Sequence, residues 1–274
     1  MLLAQNSDWK VSMLKGYIET ISKYRFLLGN LISRDLKVKY RRSVLGMIWS
    51  LLNPILMMVI LNAVFSRLVG QNSVDNYPMY LIVGQTLFIF FSEATGGALE
   101  SIVVSSALLK KIYVPKYVFP LEKVLYSFVN LMFSMIAVVI VLLFKPVKPS
   151  FSMFLIPVPL ILFLFFTIGF GLVLSALYTF FRDIKHLYSV IILAWMYLTP
   201  IIYPLSFVEG SFIIESIVKL NPLTWFITYF RDVFLYGTFP GAAMNAVCAA
   251  YSFGMLGLGL IVFKQTQDRF VLHI

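Results

Sequence analysis

Residues 34–69 constrain this chain more than any other stretch. They read RDLKVKYRRSVLGMIWSLLNPILMMVILNAVFSRLV, a basic amphipathic run that passes directly into an apolar one. Positions 34–42 carry five Lys or Arg and one Asp, whereas positions 43–66 carry no ionisable side chain. At ~1.5 Å per helical residue, the apolar run is long enough for a hydrocarbon core of ~30 Å. A cationic flank beside a span is held on the cytoplasmic face. The stretch therefore sets both the class of protein and its direction.

Composition agrees. Of 274 residues, 60% are hydrophobic and 12% charged, and the mean hydropathy is +0.90. Soluble domains carry about a quarter charged residues, so an all-α polytopic membrane protein is expected. The net charge of +10 sits between apolar runs, which points to lipid head groups and topology rather than to nucleic acid. The single cysteine, Cys248, lies in an apolar run, which leaves no disulfide framework or cysteine metal site within one chain. The mixed polar opening residues do not read as a signal peptide.

Leu14, Tyr17, Ile18, Ile21, Tyr24, Leu28, Leu31 and Ile32 recur at helical steps, with charges on the other faces. They predict an amphipathic helix, either in the membrane interface or packed on the protein's own cytoplasmic face. Six spans follow, near 44–66, 79–107, 121–144, 153–179, 185–204 and 242–263. Of the 22 Lys and Arg, 17 fall in alternate segments that include both termini and 5 in the other set. Both termini are therefore expected in the cytoplasm.

Span two carries Glu93 and Glu100. Thr86, Glu93, Gly97 and Glu100 fall within about 60° of one another around the helix. A carboxylate at membrane depth is costly, which leaves a polar or proton-linked lining, or a structural pairing with a cytoplasmic cation. The connection 109–121, LKKIYVPKYVFPL, is basic and aromatic. Its apolar side chains either dock another protein or pack against the first helix. After span four comes the charged reversal FFRDIKHL at 180–187. Span five ends in AWMYLTPIIYP, where Pro200 and Pro204 interrupt the helix. Tyr188, Ile192, Trp195 and Thr199 share one face and Tyr197 points away from it, as a head-group girdle or as a lining for sugar rings. The segment 205–241 is too interrupted for two spans, so two short helices meeting at Asn221-Pro222 are expected in the outer leaflet. In the last span, Ala242, Ala246, Ala250 and Gly254 form a small-residue ridge that predicts close helix packing.

No G-x-x-x-x-G-K-[ST] phosphate loop, H-E-x-x-H or G-x-S-x-G elbow occurs, and there are only two histidines. A path is expected, not an enzyme. The order of features is informative: RSVLGMIWSLLNPIL, then KKIYVPKYVFP, RDI, LTPIIYP and LNPLTWFITYFRD. As a set, from about Arg34 to the final QDRF, it resembles the membrane subunit of ABC-2 exporters of lipid-linked polysaccharides such as O-antigen, teichoic acid and capsular polymers.

That resemblance implies a six-span subunit of the bacterial plasma membrane. It would consist of an interfacial segment (1–43), a transmembrane domain (44–264) with gate helices near 207–238, and a cytoplasmic tail (265–274). It further implies a homodimer served by two copies of a separate ATPase, which alone holds ATP and Mg²⁺, with no cofactor in this chain. By resemblance, Lys110, Lys111, Ile112, Tyr113, Val114 and Pro115 form the ATPase-coupling loop, with Arg182, Asp183 and His186 near it. Arg41 and Arg42 flank the lipid entry. In that family spans one and five face the channel, which places Trp49, Ser50, Asn53, Met57, Tyr188, Trp195 and Thr199 on the substrate path. Ser43, Gly46, Ser50, Asn53 and Met57 lie within about 80° on span one, as such a seam requires. Asn221, Pro222, Trp225, Phe226 and Tyr229 belong to the external gate. A drug or peptide exporter of the same class, and a proton-coupled carrier using Glu93 and Glu100, are the competing expectations.

Overall fold

The computed structural model describes residues 24–39, 41, 43–69, 74, 76–111, 114–144, 147 and 150–273, and among them there are helices and turns but no strand. Residues 24–39 are helical (α1). There follow α2 (Ile48–Val69), α3 (Tyr77–Val104), a single turn α4 (Ser106–Leu109) and α5 (Val118–Phe144). A 3-10 turn at Phe151–Leu155 leads into α6 (Pro157–Phe180), and then α7 (Ile184–Leu198). Two short helices, α8 (Phe212–Leu220) and α9 (Pro222–Arg231), precede α10 (Ala242–Thr266) and a closing 3-10 turn, Gln267–Leu272.

Prolines sit where a missing N–H is least costly: Pro78, Pro157 and Pro222 occupy the first turns of α3, α6 and α9. Pro54 lies inside α2, and the helix nonetheless continues through it. Five of the described helices are long and apolar enough to cross a membrane: α2, α3, α5, α6 with its 3-10 lead, and α10. The apolar α7 has only 15 residues, about 22 Å of helix. It stops at Leu198, and the stretch expected to complete span five runs on without helical structure through Pro200 and Pro204.

The central element is α3, buried on nearly every side, with α2, α5 and α6 packed around it and α10 flanking α6. Its Phe90 and Phe91 meet Phe163, Phe166 and Phe170 of α6 in an aromatic core. α2 is the most exposed of the long helices, burying only Pro54, Met58 and Val69. One expectation about α10 is overturned. Ala242, Ala246, Ala250 and Gly254 face outward, and the face turned to the bundle carries Cys248, Ser252, Gly259 and Phe263. Ala and Gly recur on both faces of this helix, so their spacing alone does not select the packed one.

The described part of the first helix packs on the protein itself. Leu28 and Leu31 are buried, while Phe26 on another face is 79% exposed. Positions 14–23 of that expected helix lie outside the described residues.

Candidate functional site

Two groups of side chains and one polar cavity collect the residues singled out in the sequence. The first group closes the basic end of the bundle. Lys110 and Lys111 are exposed on the turn after α4, with Val114 and Pro115 half-buried; Ile112 and Tyr113 lie outside the described residues. The apolar part of this connection packs inward: Tyr117, Val118 and Phe119 join Leu28, Ile102 and Leu172 in one cluster. The closing turn laces the connection to the α6–α7 reversal. Lys116 donates Nζ–H to the Gln267 carbonyl at 2.5 Å, and Arg182 donates to the His273 carbonyl at 2.7 Å. Phe270 is wholly buried between Phe180 and Phe263. Asp183, immediately ahead of α7, and His186, in its first turn, are exposed.

Ion pairs tie this end together. Lys185 meets Glu100 at 2.8 Å and Lys39 meets Glu93 at 3.4 Å, so both carboxylates have the cationic partners that the structural reading required. Lys123 pairs with Asp35, joining α5 to α1. Burial pushes the Asp35 carboxyl upward, but hydrogen bonds and charge from Lys123 and Arg34 outweigh it and hold the group below its ordinary 3.8.

The cavity opens beside the start of α2. It measures about 160 Å³ and is lined by Trp49, Ser50 and Asn53 of α2 with Lys39, Glu93, Asn130 and Ser134 from three other helices. Met57 is exposed farther along α2, and Arg41 is exposed ahead of it; Arg42 lies outside the described residues. Asn130 is buried in α5 with neither amide atom hydrogen-bonded.

The second group holds the break after α7. Four carbonyls of residues 200–203 have no helical partner and take side-chain donors instead. Tyr77 donates to Ile202 at 2.6 Å, and the Tyr80 hydroxyl lies within hydrogen-bonding distance of the Pro200 and Tyr203 carbonyls, at 3.1 and 2.9 Å. Arg231, at the end of α9, donates to the carbonyls of Pro200 at 2.7 Å, Ile201 at 3.2 Å and Tyr80 at 2.9 Å. Irregular backbone inside an apolar environment persists only where protein groups satisfy it, and these three side chains do so.

Beside them Asn221 is a hub. Its Oδ1 accepts from Trp195 Nε1 at 2.8 Å and from the Leu223 N–H at 3.0 Å, which caps α9, while its Nδ2 donates to Thr199 Oγ1 at 2.9 Å. Replacing Asn221 with Ala removes the cap and both side-chain bonds, and is expected to cost about 2 kcal/mol. Thermal melting of the purified protein measures this; no change would mean that the hub is not holding α9.

Comparison with known proteins gives this geometry a context. Residues 27–235 match the model of the family described as "ABC-2 type transporter". The chain belongs to the ABC-2 type transporter family. It is 30% identical over 253 residues to "O-antigen export system permease protein RfbA" of Myxococcus xanthus, covering 92% of this chain and 97% of that protein. It is also 31% identical over 247 residues to a Klebsiella pneumoniae protein of the same name, covering 89% and 93%. The family and the long apolar helices together make this a multi-pass membrane protein.

Within this family member, the structure joins residues that the sequence had assigned to separate roles. Trp195 and Thr199, expected on a path, are bonded to Asn221, expected in a gate. Tyr188 is buried, its hydroxyl 2.5 Å from Thr95 Oγ1. Phe226 and Tyr229 are core residues, Phe226 against Phe163 and Tyr229 donating to Asn245 Oδ1 at 2.5 Å. Pro222 opens α9, and Trp225 is half-buried, donating to the Lys219 carbonyl at 2.7 Å. The roles of Arg231, Tyr80, Lys116, Phe270 and Asn130 were not read from the sequence. Asn130, a lone amide in an apolar run, and Arg231, a charge in another, carried a signal.

Proposed function

We propose that this chain is the membrane half of an ATP-driven exporter moving a lipid-linked polysaccharide outward across the bacterial plasma membrane. What carries the reading is that relatives named as O-antigen export permeases align over about nine-tenths of this chain. In this reading α7 and the stretch after it form a sixth crossing, both termini are cytoplasmic, and two copies pair around a channel. Each copy binds one separate ATPase, which holds ATP and its Mg²⁺. No residue of this chain is catalytic.

The cytoplasmic platform supports the reading. Lys110 and Lys111 stand exposed on a turn whose base is laced through Lys116, Phe270 and Arg182 to the α6–α7 reversal. A push on such a turn moves both connections together, as a lever requires. The lipid-pyrophosphate head enters at the inner leaflet near Arg41 and Arg42. The polymer follows between spans one and five, and α8 and α9 gate the outer end.

The test is complementation of a strain whose polymer is trapped inside the cell. Wild type is expected to restore surface polymer. Lys110→Ala with Lys111→Ala is expected to reduce it about tenfold or more and to release the ATPase on co-purification. Normal export and normal ATPase binding in the double variant would overturn the lever. Restored drug efflux without surface polymer would favour the drug-exporter reading instead.

A further inference from the structure

We propose that α1 is a strap that pivots off the bundle to admit cargo, latched by ion pairs that part without stranding a charge. Its use in transport rests on the exporter reading above; its motion does not. The two halves of α1 are held differently. Leu28 and Leu31 of the first half are buried. None of positions 33–39 is buried: Leu36 is half-buried and Val38 is 66% exposed. That second half is fastened to the bundle by charge, Asp35 to Lys123 of α5 and Lys39 to Glu93 of α3. Beyond it, residues 43–47 are non-helical, and Gly46 holds φ +50° with open space where a Cβ would stand. A pivot about the buried leucines is taken up there, where the backbone is least constrained. Lys39 lies ~12 Å beyond Leu31, so a tilt of about 20° lifts it about 4 Å.

Separating a buried ion pair is normally expensive, because one charge is left without a partner. Here each charge has somewhere else to go. Lys123 Nζ also stands 3.4 Å from Glu122 Oε2 on its own helix. Glu122 is 2% exposed and its other oxygen has no hydrogen-bond partner, so it is the carboxyl left short while Asp35 holds the ammonium. Passing Lys123 to Glu122 answers that deficit. Asp35 keeps Arg34, 2.8 Å away on α1 itself. Lys39, which also lies 5.8 Å from the centre of the Tyr126 ring, and Glu93 are 37% and 43% exposed in their side chains, so water takes both over. A cluster with two alternative pairings is a two-position element rather than a permanent clamp. Lys39 and Glu93 also line the cavity beside the start of α2, and their parting widens it on the basic side.

Spin labels on Val38→Cys and Val104→Cys, both exposed positions, read the strap as an electron–electron distance in lipid nanodiscs. Unlabelled chain is added so that each labelled copy reports on itself, and the native Cys248 thiol is buried. The otherwise unchanged chain is expected to show a main distance and a minor one displaced by about 4 Å. Lys39→Glu and Glu93→Lys should each enlarge the displaced population about threefold or more by like-charge repulsion, and the two together should restore the original distribution. Glu122→Gln removes the partner waiting for Lys123, so it should shrink the displaced population about threefold and lower surface polymer in the complementation assay. A cluster that only stabilises the fold predicts no such fall. The two charge-swap variants report even if Glu122→Gln does not fold. The proposal is overturned if the single swaps leave the distances unchanged, if the double swap fails to restore them, or if Glu122→Gln leaves the displaced population as large or larger. Normal export from a Glu122→Gln strap that stays shut would overturn its part in transport. The expected motion in a wild type that restores no surface polymer would sink the exporter reading and leave the strap standing.

Discussion

Replacing Gly84 with alanine is expected to destabilise the protein by about 2–4 kcal/mol, although it adds only one methyl group. A Cβ at this position of α3 would stand 2.4 Å from an Arg231 terminal nitrogen and 3.5 Å from the Ile201 side chain. The end of a long side chain normally swings away from such an intrusion at little cost. Arg231 is not free to do so. It is 3% exposed, stacks over the Tyr80 ring at 3.3 Å, and donates to three carbonyls. If the guanidinium moves, the Ile201 carbonyl is left dry where no helix bonds it, at a cost of about 1–3 kcal/mol, and the Pro200 carbonyl keeps only the Tyr80 hydroxyl at 3.1 Å. Arg231→Met should have a comparable effect by the direct route. The double variant should cost clearly less than the two single changes added together, because both act through one contact. Thermal melting of the purified variants reads all three. A loss below about 0.5 kcal/mol for Gly84→Ala would show that Arg231 swings freely and that the break is held by the tyrosines alone.

That arrangement shows what could and could not be read beforehand. The apolar runs and their basic flanks announced a helical membrane protein because hydrocarbon thickness and backbone satisfaction allow few other structures. Pro200 and Pro204 marked the break, since proline removes donors wherever it falls. The Tyr188–Thr199 stripe followed from helical spacing alone. Tyr188 and Thr199 are buried, Trp195 packs on Phe91 and Phe170, and Tyr197 is 61% exposed. What stayed hidden were partners brought together from far along the chain. Arg231 looked like a charge interrupting a would-be span; its acceptors lie 30, 31 and 151 residues away. Lys116 and Phe270 meet across the bundle in the same way. Composition shows that a polar group sits in an apolar run, but only the fold shows what answers it. The site was legible to the same degree: Trp49, Ser50 and Asn53 follow from helical spacing, whereas Asn130 and Ser134 join them only through packing.

The largest expected effect lies at the seam between α6 and α10, where two glycines bring the helices into backbone contact. A Cβ on Gly169 would stand 2.3 Å from the Met255 carbonyl oxygen, and one on Gly259 would stand 2.4 Å from the Gly169 carbonyl oxygen. Here the obstruction is main chain on both sides, so no rotamer relieves it and the helices must separate. In an apolar solvent there is little hydrophobic force to hold them, and their association rests on close van der Waals contact. Because that contact falls off steeply with distance, a shift of about 1 Å along the seam loosens the whole of α10. Gly169→Leu and Gly259→Leu are each expected to cost about 3 kcal/mol or more, with lower melting temperatures and easier proteolysis of the turn after α10. Gly254 supplies the control, since a Cβ there meets nothing within 4 Å. Gly254→Ala should be neutral or stabilising by up to about 1 kcal/mol, because alanine has less backbone freedom to lose. Equal sensitivity at 254 and 259 would place the seam on the wrong face of α10.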